Sequence, residues 1–470
     1  MGETFCRMKL NYAQLPEELY TNAFPDIFEK SYVVFWNEKL TNTFPDGCNA
    51  EEFERLVNGG NQWSKQPLAM AYAGHQFGHF NILGDGRAVL VDEWKSSEGF
   101  LHDVHLKGSG VTPYSRRGDG RATLKAMLRE AIMSEAIHAL QIPTTRTLAV
   151  LNTGDQIHRN GMEKGGLLAR VAASHLRVGT FEYASMHESE DVLKALADYT
   201  IARHYPQCAS AENSYLSLLK EVVHVQIDLI VNWMRVGFIH GVMNTDNMSI
   251  AGETIDYGPC AFMNVFDPKT CFSSIDTQKR YAFASQPGIA QWNLWVFANS
   301  LMPLIHENPK VAKEMVLEVI EEFPAQFGAA YYKMMGQKLG VEINTQEGRE
   351  WVEEFLSIME ETHSDYTNSF LFLEGQAVSE VYLTTSLRYE LWLAQKNDFN
   401  KIEKENVNPV VIPRNEWVER VLAEAVDNDN WELFQSYIDR LKNPYESQSE
   451  DVFSIFNPKN DLSFKTFCGT

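Results

Sequence analysis

The chain has 470 residues, 44% of them hydrophobic, which is enough for a large two-lobed domain with a substantial core. Its 63 acidic and 41 basic side chains give a formal net charge of -22, which repels nucleic-acid backbones, so nucleic acid is not expected as a partner. The sequence has no signal-peptide pattern, no apolar stretch approaching about 18 residues and no CxxC pair among its six cysteines. We therefore expect a cytoplasmic monomer that uses neither a membrane anchor nor a disulfide framework.

Three regions follow one another along the chain. Residues 1–75 mix aromatic side chains with turn residues and are predicted to pack as an extension on the rest. Residues 76–190 favour strands, with alternating apolar segments at 81–83, 88–92, 103–107, 145–149 and 166–170, a hairpin turn at 84–86, and one helix over 122–140. Residues 191–470 are dominated by helical patterns, for example over 214–234, 310–322, 349–360 and 416–425. The sequence thus predicts an α+β fold in which a strand-rich lobe precedes a helical lobe.

The segment from His240 to Asn247, followed by Asp256-Tyr257-Gly258, resembles a protein-kinase catalytic loop and its metal motif. In that pattern an asparagine seven places after the histidine and the aspartate of a later D-F-G both bind metal. Val242 stands where a kinase has its catalytic aspartate and cannot accept a proton. An additional carboxylate, Asp246, directly precedes the asparagine.

An asparagine carbonyl and an aspartate carboxylate are hard oxygen donors, so Asn247 and Asp256 are candidate ligands of Mg²⁺ or Mn²⁺ on a nucleoside triphosphate. Asp246-Asn247 and Asp256-Tyr257-Gly258 could equally be ordinary turns, because these residue types are common there.

Lys107 ends a predicted strand, and Glu130 lies 23 places later on the predicted helix, like the lysine and glutamate that form the phosphate-anchoring ion pair of kinases. Glu130 interrupts an apolar stripe of that helix, so a buried position would require a cationic partner. The alternative is that both side chains are exposed, as lysine and glutamate usually are.

Residues 107–129 hold six basic side chains and one acidic one, which is a local anion site in an acidic protein. Glycines in this segment let backbone N–H groups approach phosphate, and the following helix adds its positive end. Gly84 and Gly86 suggest a weaker site of the same kind. Arg170 and Arg177 carry guanidinium groups suited to phosphate, although surface arginines are the ordinary alternative.

Several of these motifs together resemble the selenoprotein O family: residues 74–78 (GHQFG), 105–110 (HLKGSG), 116–121 (RRGDGR) and 243–250 (MNTDNMSI). The resemblance extends from about residue 10 to the C-terminus. It implies a protein-kinase-like two-lobed fold that binds ATP in an inverted orientation. It also implies transfer of AMP to Ser, Thr or Tyr hydroxyls of proteins with release of diphosphate, and UMP transfer from UTP is attributed to the family as well.

The resemblance further implies residue roles. Asp246 would be the general base, Asn247 and Asp256 would hold the metal, and Glu130 would orient Lys107. The implied nucleotide-binding residues are Gly84, Gly86, Arg87, Lys107, Asp119, Gly120, Arg170, Arg177 and Asp256. A kinase that transfers the γ-phosphoryl group and an inactive nucleotide-binding scaffold remain alternatives.

Family members can form a regulatory disulfide between the C-terminal end and a cysteine beyond the metal motif. The resemblance therefore suggests Cys271 and Cys468 as a pair. Two inert thiols are the alternative, because a sequence reports neither their distance nor their thiolate character.

Overall fold

The computed structural model of the protein describes residues 8–59, 63–159, 161–187, 189–403, 406–448, 451–455 and 464–466. Its strands are β1 (Tyr20–Asn22), β2 (Tyr32–Trp36), β3 (Leu68–Met70), β4 (Ala73–Gln76), β5 (His79–Ile82), β6 (Ala88–Lys95), β7 (Leu101–Lys107), β8 (Ala122–Thr123), β9 (Arg146–His158), β10 (Met162–Ala172), β11 (Phe238–Ile239) and β12 (Ala261–Phe262). Its helices are α1 (Glu38–Thr41), α2 (Ala50–Asn58), α3 (Leu124–Ala139), α4 (Val178–Ala184), α5 (Glu190–His204), α6 (Ser214–Arg235), α7 (Gln286–Ile305), α8 (Pro309–Glu321), α9 (Phe323–Leu339), α10 (Gln346–Thr362), α11 (Tyr366–Leu373), α12 (Tyr389–Gln395), α13 (Asn415–Asp427) and α14 (Trp431–Leu441).

One antiparallel sheet carries most of the strands, in the order β1-β3-β6-β7-β10-β9-β2, with β8 also paired to β10. β4 and β5 form a separate hairpin, and β11 pairs with β12. The helices from α5 onward follow this sheet in the chain. The predicted α+β architecture, strand-rich first and helical afterwards, is confirmed.

The alternation of side chains along the central strands separates an apolar face from the face that carries the site. Val104 and Leu106 of β7 belong to the core between the sheet and residues 23–63, while His105 and Lys107 point to the opposite face. β10 is in register with β7, so that Arg170 lies opposite His105. This register gathers polar side chains where α3 packs on the sheet.

The helix predicted over 122–140 begins later than expected. Ala122 and Thr123 pair with Gly165 and Gly166 of β10, so the helix starts at Leu124. The Thr123 side chain accepts a hydrogen bond from the backbone N–H of Ala126 and caps it.

The hairpin predicted around residues 84–86 is wrong. β5 pairs with β4, through a turn at Phe77 and Gly78, whereas β6 pairs with β3 and β7. The segment 84–87 is therefore a connection between two sheets.

Strands from the first 75 residues belong to the main sheet: β1 and β3 form one end of it, and β2 the other. The division into 1–75, 76–190 and 191–470 stays a prediction, since strands on both sides of residue 75 share this sheet. No helix within the described ranges combines the length and apolarity needed to cross a bilayer.

Candidate functional site

A buried cluster of opposite charges lies where β7, β10, α3 and the loop after β11 meet. The Lys107 Nζ atom is 2.7 Å from Glu130 Oε2 and 2.8 Å from Asp256 Oδ1. Arg170 Nη1 is 2.7 Å from the same Asp256 oxygen, and Arg177 Nη1 is 2.6 Å from Oδ2. The predicted Lys107–Glu130 pair is present in the structure, and neither side chain is in the exposed position of the alternative interpretation.

Asp256 is the anion at the centre of this cluster. Burial opposes its ionisation, but the charges of Lys107, Arg170 and Arg177 outweigh that effect and hold its pKa well below the usual range. Its φ of 63° is in the left-handed region, which aspartate tolerates better than most residues. The three cations and the two carboxylates, Glu130 included, leave a net charge of +1.

The pKa of a second carboxylate, Asp246, is shifted in the opposite direction. Its Oδ1 atom is buried and has no hydrogen-bond partner among the described residues, and Gln76 Nε2 is 3.5 Å from Oδ2. Burial raises the pKa of Asp246 to about 6, although Arg177 acts against the rise. Such a carboxylate is mostly ionised at neutral pH and can accept a proton.

His240 is a core residue that connects the segment containing Asp246 to the segment containing Asp256. Its Nε2 atom donates to the Ile255 backbone oxygen at 2.8 Å, and Nδ1 accepts from the Val242 N–H at 3.4 Å. The ring stacks on Trp233, and burial lowers its pKa. His240 is therefore neutral and structural.

Asn247 follows Asp246 and is oriented by one hydrogen bond. Its Nδ2 atom donates to the Val242 backbone oxygen at 3.0 Å, which leaves Oδ1 as the amide atom for a cation. Asn247 Oδ1 and the Asp256 carboxylate are hard oxygen donors that suit Mg²⁺ or Mn²⁺. Because both oxygens of Asp256 are held by basic side chains, a metal ion would compete with them. The described residues contain no cluster of three or more His, Cys, Asp or Glu side chains arranged as a metal site.

The predicted phosphate-binding segment 84–87 lies beside this cluster and contacts residues 108–115. The Arg87 backbone oxygen accepts from the Gly108 N–H at 2.7 Å, which brings segment 84–87 beside the end of β7. Gly84 packs against Tyr114, and the Gly86 oxygen accepts from Ser115 Oγ. These contacts fold residues 108–115 over segment 84–87.

Asp119 and Gly120 lie further along the same loop. Asp119 forms an ion pair with Arg159 at 2.8 Å, and half of its side chain is exposed. The Gly120 oxygen accepts from the Gly110 N–H at 3.0 Å. The structure thus does not bring Asp119 into contact with Lys107 or Asp256, and its role toward phosphate stays a prediction.

Sequence reasoning missed the residues that support Arg170. Both Arg170 Nε (3.3 Å) and Nη2 (3.2 Å) lie near His105 Nδ1, and His105 Nε2 is 3.1 Å from Asp85 Oδ2. Because a guanidinium only donates, Nδ1 accepts and the proton of His105 is on Nε2. The signals were present, since His105 lies in the HLKGSG motif and Asp85 between two glycines, but neither indicates the partner.

The sequence pattern alone also did not place Gly74 and the rest of β4 at the site. A Cβ atom on Gly74 would lie 2.3 Å from Asp246 Oδ1. His75 donates its backbone N–H to Thr245 Oγ1 at 2.8 Å, and its Nδ1 atom is 2.5 Å from Glu182 Oε1. Only the family resemblance of the GHQFG motif pointed to this strand.

Cys271 lies beside the described part of the C-terminal tail. The Lys465 Nζ atom donates to the Cys271 backbone oxygen at 3.0 Å. Burial, and then Asp276, raises the pKa of the Cys271 thiol to about 11. Cys468 lies outside the described residues, so the Cys271–Cys468 pairing stays a prediction.

Comparisons with known proteins agree on one family. The family model described as "Protein adenylyltransferase SelO" matches residues 5–442. A protein nucleotidyltransferase YdiU of Bacillus mycoides is 45% identical and aligns with 100% of this chain and 99% of its own length. The protein of the same name from Anoxybacillus flavithermus is 47% identical, and the alignment covers 98% of each chain. The one from Clostridium botulinum is 43% identical, and the alignment covers 99% of this chain and 98% of the relative.

Among solved structures, ROP2 of Toxoplasma gondii, described as a virulence factor with a protein-kinase fold and no enzymatic activity, is 10% identical. The superposition covers 70% of this chain and 86% of the ROP2 chain. Its TM-score is 0.25, which is too low to assign a fold. The family match and the relatives, in contrast, span nearly the whole chain. The chain therefore belongs to the protein adenylyltransferase SelO family.

Proposed function

We propose that this chain transfers AMP from ATP to Ser, Thr or Tyr hydroxyls of acceptor proteins and releases diphosphate, with UTP as a further nucleotide substrate. The proposal rests on the different environments of two neighbouring carboxylates. Asp256 is held ionised by three cations, whereas Asp246 is buried beside them with an oxygen that has no partner in the described structure.

The cations suit the two outer phosphates of the nucleotide. Lys107, Arg170 and Arg177 donate into one small volume from β7, β10 and the start of α4. Guanidinium groups bind phosphate in a fork-like geometry, and a water-poor site strengthens the attraction. Holding the β- and γ-phosphates there makes diphosphate the leaving group, because its developing charge is stabilised.

Asp246 suits the acceptor hydroxyl. Its raised pKa of about 6 matches a base that works near neutral pH. As the hydroxyl oxygen attacks the α-phosphorus, Asp246 takes the hydroxyl proton, and the bond from the α-phosphorus to the bridging oxygen breaks. The apolar Val242 at the kinase base position disfavours the alternative of γ-phosphoryl transfer, and the presence of Asp246 disfavours an inactive scaffold.

Asn247 Oδ1 and Asp256 would hold Mg²⁺ or Mn²⁺. When bound, the metal ion neutralises charge on the triphosphate. Within the chain, Glu130 then keeps Lys107 in place, because the Lys107–Glu130 contact does not depend on Asp256. A monomeric state and a cytoplasmic location are further expectations of this proposal.

ATP labelled on either the α- or the γ-phosphate tests the proposal. With Mg²⁺ or Mn²⁺, only the α label should become bound to protein, and Asp246→Asn should abolish the transfer while nucleotide binding persists. Protein-bound γ label would indicate a kinase, and an absence of label in a folded, nucleotide-binding protein would indicate a scaffold.

A further inference from the structure

An aromatic cluster lies beside the segment that carries Asp246. We define the acceptor surface as His75, Phe77, Phe80, Trp292 and Arg280, which pack around the buried Tyr281 side chain. The His75 ring is 5.2 Å from Trp292 and 5.3 Å from Phe80, and Phe77 is 5.2 Å from Tyr281. Phe80 has 43% of its surface exposed, so the cluster presents an apolar ring to solvent.

This surface is attached to the segment that carries Asp246. The Phe77 backbone N–H donates to Asn244 Oδ1 at 3.1 Å, and Tyr281 OH donates to the same oxygen. With the bond from His75 to Thr245, these contacts fix the β4–β5 hairpin and Tyr281 to residues 244–245. A polypeptide lying on the acceptor surface would therefore be beside Asp246.

Arg280 is the cation of this surface. Its guanidinium lies 5.0 Å from the Trp292 ring centroid, and its backbone is fixed by a bond from the Arg280 N–H to Asp276 Oδ1 at 2.9 Å. Its Nε atom is buried, so an incoming carboxylate would meet the Nη atoms, and among the described residues no carboxylate forms an ion pair with this guanidinium, whose other aromatic neighbour is the Tyr281 ring at 5.8 Å. In contrast, Lys107, Arg170 and Arg177 are all paired with Asp256.

Arg280 lies beside the turn of the β4–β5 hairpin. A Cβ on Gly78 would lie 4.0 Å from the Arg280 Cζ atom, and Gln76, two residues earlier, reaches Asp246. Gln76 and Gly78 are at most about 7 Å apart along the chain, so Arg280 and the side chain that reaches Asp246 lie at the same end of the β4–β5 hairpin.

We propose that Arg280 binds an acidic side chain of the acceptor protein that lies close in sequence to the hydroxyl that is modified. The inference rests on the proposed function and adds the chemistry by which acceptors are selected. A guanidinium that lies on an aromatic ring and has no carboxylate partner is suited to a carboxylate. In a chain with a net charge of -22, an unpaired arginine is a local attraction for an acidic segment that the rest of the surface repels.

Binding of matched peptides tests this inference without relying on catalysis. Three fluorescent peptides each carry one serine, with Glu, Gln or Lys at one position on each side of it. Their fluorescence anisotropy is measured with protein, Mg²⁺ and a non-hydrolysable ATP analogue. The wild-type protein should bind the Glu peptide about tenfold more tightly than the Gln peptide. Arg280→Glu should reverse the preference toward Lys, and Arg280→Lys should keep part of the preference for Glu.

Arg349→Glu is the matched control, because Arg349 also lies over an aromatic ring, Tyr332, but on α10. It makes the same change of charge and should leave the peptide preference unaltered. Nucleotide affinity, measured by calorimetry, should be equal in wild type and Arg280→Glu.

Equal binding of the three peptides by wild type would overturn the inference, as would a preference that survives Arg280→Glu. A tenfold loss of nucleotide affinity in Arg280→Glu would also overturn it, since the guanidinium would then serve a phosphate. Absence of α-label transfer to any peptide concerns the proposed function instead, because the binding measurements do not depend on transfer.

Discussion

One nitrogen atom of Arg177, Nη1, lies 2.6 Å from the Asp246 backbone oxygen and 2.6 Å from Asp256 Oδ2. This atom joins the loop of the proposed base, Asp246, to the loop of the predicted metal ligand, Asp256. Arg177 also precedes α4 and stacks on Tyr72, so its side chain is held from several directions. The backbone of Asp246 and the carboxylate of Asp256 are therefore held next to each other by the fold itself.

Gly74→Ala should displace Asp246, the proposed base. The new methyl group would lie 2.3 Å from Asp246 Oδ1, which is closer than atoms can approach, so the carboxylate must move. We expect kcat for AMP transfer to fall about 100-fold, as for a misplacement of roughly 1 Å, with nucleotide affinity unchanged. Gly328→Ala, on α9 with open space around it, is the control and should retain full activity. Normal kcat in Gly74→Ala would contradict the position assigned to Asp246.

Asp256→Asn should change how nucleotide binding depends on metal. Removal of this carboxylate raises the net charge of the cluster from +1 to +2 and releases three cations. We expect ATP to bind about tenfold more tightly without metal, and added Mg²⁺ to improve the affinity less than in wild type.

Calorimetry with and without EDTA measures both affinities. Asp228→Asn, which alters an exposed carboxylate of α6, should behave as wild type. Weaker binding of metal-free ATP by a folded Asp256→Asn protein would contradict the view that Asp256 competes with phosphate for the cations.

His105 should act as a positioning residue for Arg170. An asparagine at 105 can place an oxygen near the Nδ1 position and keep an acceptor for Arg170, whereas a glutamine reaches the Nε2 position toward Asp85. We expect His105→Gln to weaken ATP binding about tenfold, and His105→Asn to restore much of it, because the contact involves a charged donor. Equal nucleotide affinities for the two variants and the wild type, measured by calorimetry, would exclude this role.

Acid should destabilise the fold through His175. Burial, the neighbouring His105 ring and Arg170 lower the pKa of His175 to about 3, although Asp103 acts against this. Between about pH 6.5 and the lowered value, the unfolded chain binds a proton at this position that the folded chain does not. Stability contributed by neutral His175 is therefore complete above pH 6.5 and is lost as pH falls, by about 1.4 kcal/mol per pH unit.

Urea unfolding between pH 7 and pH 5 measures this slope. His175→Asn, which keeps a donor for Asp103, should reduce the slope by about one proton, whereas exposed His224→Asn should leave it unchanged. Identical slopes for wild type and His175→Asn would show that His175 does not stay neutral.

The fold could be predicted where the pattern of apolar residues was regular. The predicted helices near 214–234, 310–322 and 416–425 correspond to α6, α8 and α13 with ends displaced by only one or two residues. β4 could not be recognised, because Ala-Gly-His-Gln has no strand pattern and its pairing is set by the turn at Phe77 and Gly78. The later start of α3 likewise depends on pairing with β10, which local sequence does not report.

The site could be predicted where the spacing of residues matched a known motif or where a residue conflicted with its local pattern. Glu130 interrupts an apolar helix face and therefore indicated a buried cation, which is Lys107. The contacts of Arg177 with a backbone oxygen, and of Arg170 with His105, depend on the strand register and on the loop conformation. Arg280 gave no signal at all, since its isolation from carboxylates is a property of the folded surface.

A crystal structure with a non-hydrolysable ATP analogue and Mg²⁺ tests the central claim most directly. We expect the α-phosphorus to lie nearest Asp246, with the β- and γ-phosphates on Lys107, Arg170 and Arg177. A γ-phosphorus nearest Asp246, with the α-phosphate on those three cations, would contradict the account.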